Sequence, residues 1–178
     1  NYLPRAVSDP GDDEARAQMI LASAFAGMGF GNAGVHLPHG MSYPVSGMVR
    51  DYRPDGFITD HAIVPHGMSV FLNAPPVFRF TGPACPDRHL RAAELLGADI
   101  SGVQNPQEEA GGMLAERIVG LMKQLEMPNG LSAIGFTESD IPALVEGALP
   151  QHRVTKLSPR PASEADLADL FRGALTAW

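Results

Sequence analysis

Apolar residues recur along this chain at spacings of three and four, and no stretch alternates apolar and polar residues over the length of a strand. The longest periodic run extends from about Glu108 to Met127, where Met113, Leu114, Ile118, Leu121, Met122 and Leu125 fall on one stripe of a helix. Such a stripe reads as core. The turn Ser8-Asp9-Pro10-Gly11 precedes a second helix, capped by Asp12 or Asp13 and running from Glu14 to about Phe25. Its end is marked by Gly27, Gly29, Gly31 and Gly34. The most apolar stretch, Met19 to Val35, reads as a core helix whose small residues serve close helix–helix packing.

The same reading predicts a helix from Pro38 to about Val49, kinked at Pro44. Another opens at Pro65 and is broken or bent by Ala74-Pro75-Pro76 before Phe78 and Phe80. Asp87 caps a helix closed by Gly97. Thr137-Glu138-Ser139-Asp140 starts one with Pro142 in its first turn. Ser163, with Asp166 three residues on, begins the last, which buries Leu167, Leu170, Phe171 and Leu175. The fold class expected is all-α, a bundle of about six or seven helices forming a single domain over 1–178.

Charge narrows the partners. A net charge of −7 without a basic run argues against nucleic acid and against an anionic membrane surface. The stretch Met19–Val35 is too short, and too broken by Gly, Ser23 and Asn32, for a comfortable membrane span. One cysteine, Cys85, excludes an internal disulfide and points to a reducing compartment. The opening Asn1-Tyr2-Leu3-Pro4 has no features of a signal peptide. Cytoplasmic residence is therefore the expectation.

Two candidate sites stand out. Gly29-Phe30-Gly31-Asn32-Ala33-Gly34 matches the dinucleotide pattern G-x-G-x-x-G, with Asp51 about twenty residues later. That pattern needs a preceding strand, and an Ala-rich helical segment stands there instead, so it reads as a decoy. The second is a repeat: Pro38-His39-Gly40-Met41 and Pro65-His66-Gly67-Met68 are identical. Each places a histidine at a helix start, where the dipole disfavours the imidazolium and leaves a neutral lone pair for a metal. By spacing alone, two histidines on helix starts read more readily as half-buried, hydrogen-bonded side chains, as in a non-catalytic helical interaction module. His61 reads as a surface or ligand-supporting residue, and Cys85 and His89 carry no defensible chemistry.

The stretch from Gly31 to Pro44, then Val64-Pro65-His66-Gly67-Met68, resembles the iron-containing (group III) alcohol dehydrogenases. Leu157-Ser158-Pro159-Arg160-Pro161 is similar to that family's closing Asn-Pro-Arg-Pro segment. The wording of these motifs, with Leu149 to Leu157, looks closest to the hydroxyacid–oxoacid transhydrogenase branch. The resemblance implies a two-domain oxidoreductase: an α/β domain binding NAD(P), and an all-helical C-terminal domain holding a divalent metal, Fe2+ or Zn2+, in the cleft between them. It assigns His39 and His66 as two of four metal ligands. The other two, an Asp-x-x-x-His pair, occur nowhere in this chain, nor does the cofactor domain's glycine-rich loop. The chain is thus expected to be truncated at its N-terminus, inside the helical domain, and inactive by itself.

The resemblance further implies a small-molecule alcohol or hydroxyacid substrate, such as 4-hydroxybutyrate with 2-oxoglutarate as acceptor. The partner is the protein's own N-terminal cofactor domain, and truncation is expected to expose apolar surface that favours a homo-oligomer. Tyr43 stands where much of the family has a proton-relaying histidine, and His36 is held as a substrate contact. A eukaryotic source would make the location mitochondrial.

Overall fold

The computed structural model describes residues 2–178. Among them it contains nine α-helices, three short 3-10 turns and no strand. The helices are α1 (Tyr2–Ser8), α2 (Asp13–Ala33), α3 (Leu37–Gly47), α4 (His66–Thr81), α5 (Pro86–Leu95), α6 (Pro106–Gln124), α7 (Ile141–Ala148), α8 (His152–Thr155) and α9 (Glu164–Ala174). The all-α expectation holds. The count exceeds six or seven because α1 and the four-residue α8 carry no periodic pattern of their own.

Helix α4 is the axis of the body, packed against α3, α6 and α9, while α7 and α8 close over α3 and α5 lies on α6. The core joins Leu37, Met41 and Val45 of α3 to Leu72 and Val77 of α4, Leu114, Ile118 and Met122 of α6, Leu144 of α7 and Phe171 of α9. Each such side chain contributes about 1.5–3 kcal/mol when taken fully out of water. Helix starts follow local chemistry. Asp12 accepts from the Ala15 N–H. Thr137 with Asp140 and Ser163 with Asp166 form capping boxes, the second opening α9 directly and the first a 3-10 turn that leads into α7. At α5 the cap is Cys85 with Pro86 in the first turn, and Asp87 lies inside the helix.

Two expectations are overturned. Pro75 and Pro76 do not break α4, which continues to Thr81, while α3 runs through Pro44 to Gly47, near the end expected of it. The reason is tertiary. A Cβ on Gly147 of α7 would lie 2.7 Å from the Pro44 ring, and one on Gly173 of α9 would lie 3.1 Å from that of Pro76. Both rings therefore seat against glycines of neighbouring helices, and packing outweighs the lost backbone bonds. At the far end of α4, Gly82 meets Gly111 of α6 backbone to backbone, an approach that no side chain would permit.

Helix α2 is the second surprise. It runs through Gly27, Gly29 and Gly31 and stops only at Gly34, whose φ is +75°. It is not a core helix. Ala15 is its one buried residue, while Ile20, Leu21, Phe25, Met28 and Phe30 are 48–73% exposed. The three interior glycines face open space, so the small residues serve no close packing within this chain. At Gly34 the chain turns through 111° into α3. Among the described residues no single helix is both long and apolar enough to cross a membrane. The G-x-G-x-x-G match lies at the end of α2 with no strand before it, so it forms no dinucleotide loop, in keeping with its reading as a decoy.

Candidate metal centre

The two histidine motifs enter their helices in different registers. Leu37 and Pro38 form the first turn of α3, with His36 as the preceding cap, so His39 is the third helical residue. In α4 the proline is itself the cap and His66 is the first helical residue. Helices α3 and α4 pack side by side. The result brings His39 and His66 together, with ring centroids 5.3 Å apart and planes inclined by 59°. His66 is exposed and His39 half-buried, so the pair opens to solvent. Burial, and then the neighbouring His66, hold the His39 imidazole below its usual pKa of 6.5. It is neutral at pH 7, the state a metal requires.

The donor chemistry fits a divalent cation. Two imidazoles 5.3 Å apart on neighbouring helices, one of them held neutral, are borderline-soft nitrogen donors, and that suits Fe2+ or Zn2+ alike. Among the described residues no third His, Cys, Asp or Glu joins them. The two residues are therefore half of a site at most, since catalytic zinc normally keeps three protein ligands.

His36 caps α3 and stands with its ring edge-on to Phe78 at 6.3 Å. Its Nδ1 is buried without a hydrogen-bond partner. Burial first, then the charges of His89 and His39, push its pKa down. Tyr43 lies one turn beyond His39 on the same side of α3, half-buried, with no hydrogen bond to its hydroxyl among the described residues. His61 sits at the surface, its ring bonded to Asp60 at 2.8 Å. His89 is a satisfied core histidine, with Nε2 2.8 Å from the Thr81 hydroxyl and Nδ1 3.0 Å from the Cys85 carbonyl. An apolar cleft of about 790 Å3 opens next to His66, at Gly67 and Met68, lined also by Tyr52, Phe57 and Phe71.

The repeat also runs one residue further than the four considered above. Ser42 and Ser69 follow the two methionines, and both are fully buried. Each donates from Oγ to the carbonyl of its own motif's histidine, at 2.8 Å in both cases. Extending the comparison by one position would have found them.

An all-helical body with two histidines brought together from adjoining helix starts is the C-terminal fold of a known enzyme family. The chain belongs to the iron-containing alcohol dehydrogenase family: the profile "Fe-containing alcohol dehydrogenase family, C-terminal" matches residues 1–175. It is 56% identical over 174 residues to the mitochondrial hydroxyacid–oxoacid transhydrogenase of Xenopus tropicalis, covering 98% of this chain and 37% of that protein. It is 53% identical over 177 residues to the probable mitochondrial hydroxyacid–oxoacid transhydrogenase of Dictyostelium discoideum, covering 99% and 32%. Among solved structures, 1,3-propanediol oxidoreductase superposes with a TM-score of 0.82 at 29% identity, covering 97% of this chain and 41% of that one. The chain thus spans about a third to two fifths of the length of these relatives.

Proposed function

We propose that this chain is the metal-binding helical part of a hydroxyacid–oxoacid transhydrogenase, to which it contributes His39 and His66 as two ligands of a divalent metal, Fe2+ or Zn2+. The observation that carries the reading is the 5.3 Å approach of the two imidazoles from separate helices. The bound cation would supply Lewis acidity, lowering the pKa of a substrate hydroxyl. The residues of this chain bind and orient. His39, kept neutral by burial, offers its lone pair without first losing a proton. Tyr43, one turn along α3 from His39 and with no hydrogen bond to its hydroxyl among the described residues, is assigned the relay that a histidine performs elsewhere in the family. The neutral ring of His36 is assigned to contact the substrate.

The substrate class is a small hydroxyacid, with an oxoacid as acceptor, following the transhydrogenases to which the chain is similar. NAD(P) is assigned to the length of the relatives that this chain does not span. The exposed apolar side of α2 is assigned to contact that same length, with self-association of the isolated chain as the consequence of leaving it uncovered. Residence is proposed to be mitochondrial for a eukaryotic source, as in the relatives.

The test is metal content. In the full-length enzyme His39→Ala and His66→Ala are each expected to abolish both metal retention, read by atomic emission, and turnover. Full metal occupancy in both variants would overturn the assignment. The 178-residue chain is expected to show no turnover with any alcohol and NAD(P), and turnover by the pure chain would refute its role as a half-site.

A further inference from the structure

We propose that Ser46 and Ser69 form a hydroxyl bridge that sets the spacing of His39 and His66, making them positioning residues for the metal. The inference rests on the ligand reading above and concerns how the pair is held. Ser46 is on α3, seven residues after His39, and Ser69 is on α4, three residues after His66. Both therefore lie on the faces that carry the histidines. Ser46 donates from Oγ to Ser69 Oγ at 3.0 Å, across the seam between the two helices. Ser69 passes its own proton to the His66 carbonyl at 2.8 Å. Ser42 makes the matching bond to the His39 carbonyl, also at 2.8 Å.

A continuous chain of hydroxyls thus runs from α3 to the backbone of His66. It is gripped from below as well, because the buried Asn73 donates from Nδ2 to the Ser69 carbonyl at 2.7 Å. Ser69 and Asn73 are both fully buried, where an unmade hydrogen bond is expensive and the made one is correspondingly directional. Apolar contacts hold α3 against α4, but they tolerate sliding. A hydrogen bond at 3.0 Å does not, since sub-ångström shifts lengthen it out of range. The bridge therefore fixes the register of one histidine relative to the other. This explains why the serine is part of the repeat: both copies of Pro-His-Gly-Met-Ser tie the histidine's own carbonyl, and one copy is linked to the other helix.

The experiment compares Ser46→Thr with Ser46→Val in the 178-residue chain. The two side chains have the same shape, and only threonine keeps the hydroxyl. Ser46 is half-buried, so both are accommodated. Zn2+ binding is measured by titration calorimetry at 10 °C, with circular dichroism confirming the folded state and His39→Ala as the control. The expected result is that Ser46→Thr binds Zn2+ within two-fold of the parent chain, while Ser46→Val binds about three- to ten-fold more weakly, the scale of one net hydrogen bond. A purely structural role would change the melting temperature without separating the two affinities. Equal affinity in the two variants, while His39→Ala abolishes binding, would overturn the bridge and leave the ligand reading standing. Unchanged binding in His39→Ala would overturn both. If Ser46→Val is unfolded at 10 °C, Ser46→Ala, which removes the bridging hydroxyl without adding volume, is expected to weaken Zn2+ binding by a similar factor, and parent-like affinity there would overturn the proposal.

Discussion

Gly40 and Gly67 occupy the same position of an identical motif, yet replacing each with alanine is expected to have opposite effects. Gly67 is exposed, and a Cβ there would meet nothing within 4 Å. Gly40 is buried, and its Cβ would lie 2.7 Å from Thr155 Cγ2 and 3.4 Å from Val154 Cγ2. Threonine is stiff at χ1. Thr155 also donates from Oγ1 to the Gln151 carbonyl at 3.2 Å, so turning it away gives up that bond. Both sites lie in first helical turns, and alanine gains up to about 1 kcal/mol of helix propensity at either. That gain cancels when the two variants are compared. What remains is the overpacking at Gly40, about 1–3 kcal/mol. Gly67→Ala should therefore stabilise by about 0.5–1 kcal/mol, and Gly40→Ala should lie about 1–3 kcal/mol below it. For a chain of this length the gap corresponds to about 2–12 °C in Tm. Urea unfolding of both variants, with equal m-values, measures it. Agreement of the two within about 0.5 kcal/mol, or Gly67→Ala as the less stable variant, would refute the packing of α8 on α3 as described.

Three further outcomes follow from the structure. His36 and His39 have pKa values below 6.5 when folded, so below that pH the unfolded chain binds more protons and stability falls on acidification. Urea midpoints should drop from pH 7.5 to 5, and a His36→Gln, His39→Gln double variant should flatten that profile. Asp140 closes the capping box with Thr137 and pairs with Arg50, which also reaches the Gly135 carbonyl. Asp140→Ala is expected to cost about 1–2 kcal/mol in thermal unfolding, and Arg50→Met, at an exposed site, distinctly less. On α2, Ile20→Glu with Phe25→Glu should reduce self-association in sedimentation velocity without lowering Tm, because neither side chain is buried. Unchanged association would remove that face from the interface.

The parts of this fold legible in the sequence are those fixed within a few residues of chain. The box of Ser163 with Asp166 was readable because its chemistry is complete in four residues. So was the α6 stripe, since Leu114, Ile118 and Met122 are buried where the spacing put them. The break expected at Pro75-Pro76 was misread because its cost is offset from far along the chain, by Gly173 packed on Pro76, which no local window contains. Helix α2 was misread for a related reason. Apolar composition says that a surface needs cover, and it cannot say that the cover lies in the same 178 residues. At the site, the repeat singled out His39 and His66, while their approach depends on how α3 and α4 cross and was implied only by family resemblance. Ser46 sits outside the repeat and became visible only through its contact with Ser69.

The projecting α2 gives this chain two different opening energies. Its principal contacts are with the seven-residue α1, it carries three interior glycines, and it buries one residue. An isolated helix of that composition is marginal in water, and each glycine costs it about 1 kcal/mol relative to alanine. Its amides can therefore open by local fraying from Gly34 outwards, leaving α3, α4 and α6 intact, whereas amides buried between α4 and α6 open only with the whole body. In hydrogen exchange the molecule would divide into a fast tier and a slow one at the Gly34 turn. The fast tier holds the apolar residues left bare, so protection gained by α2 alone would report directly on whatever comes to cover them.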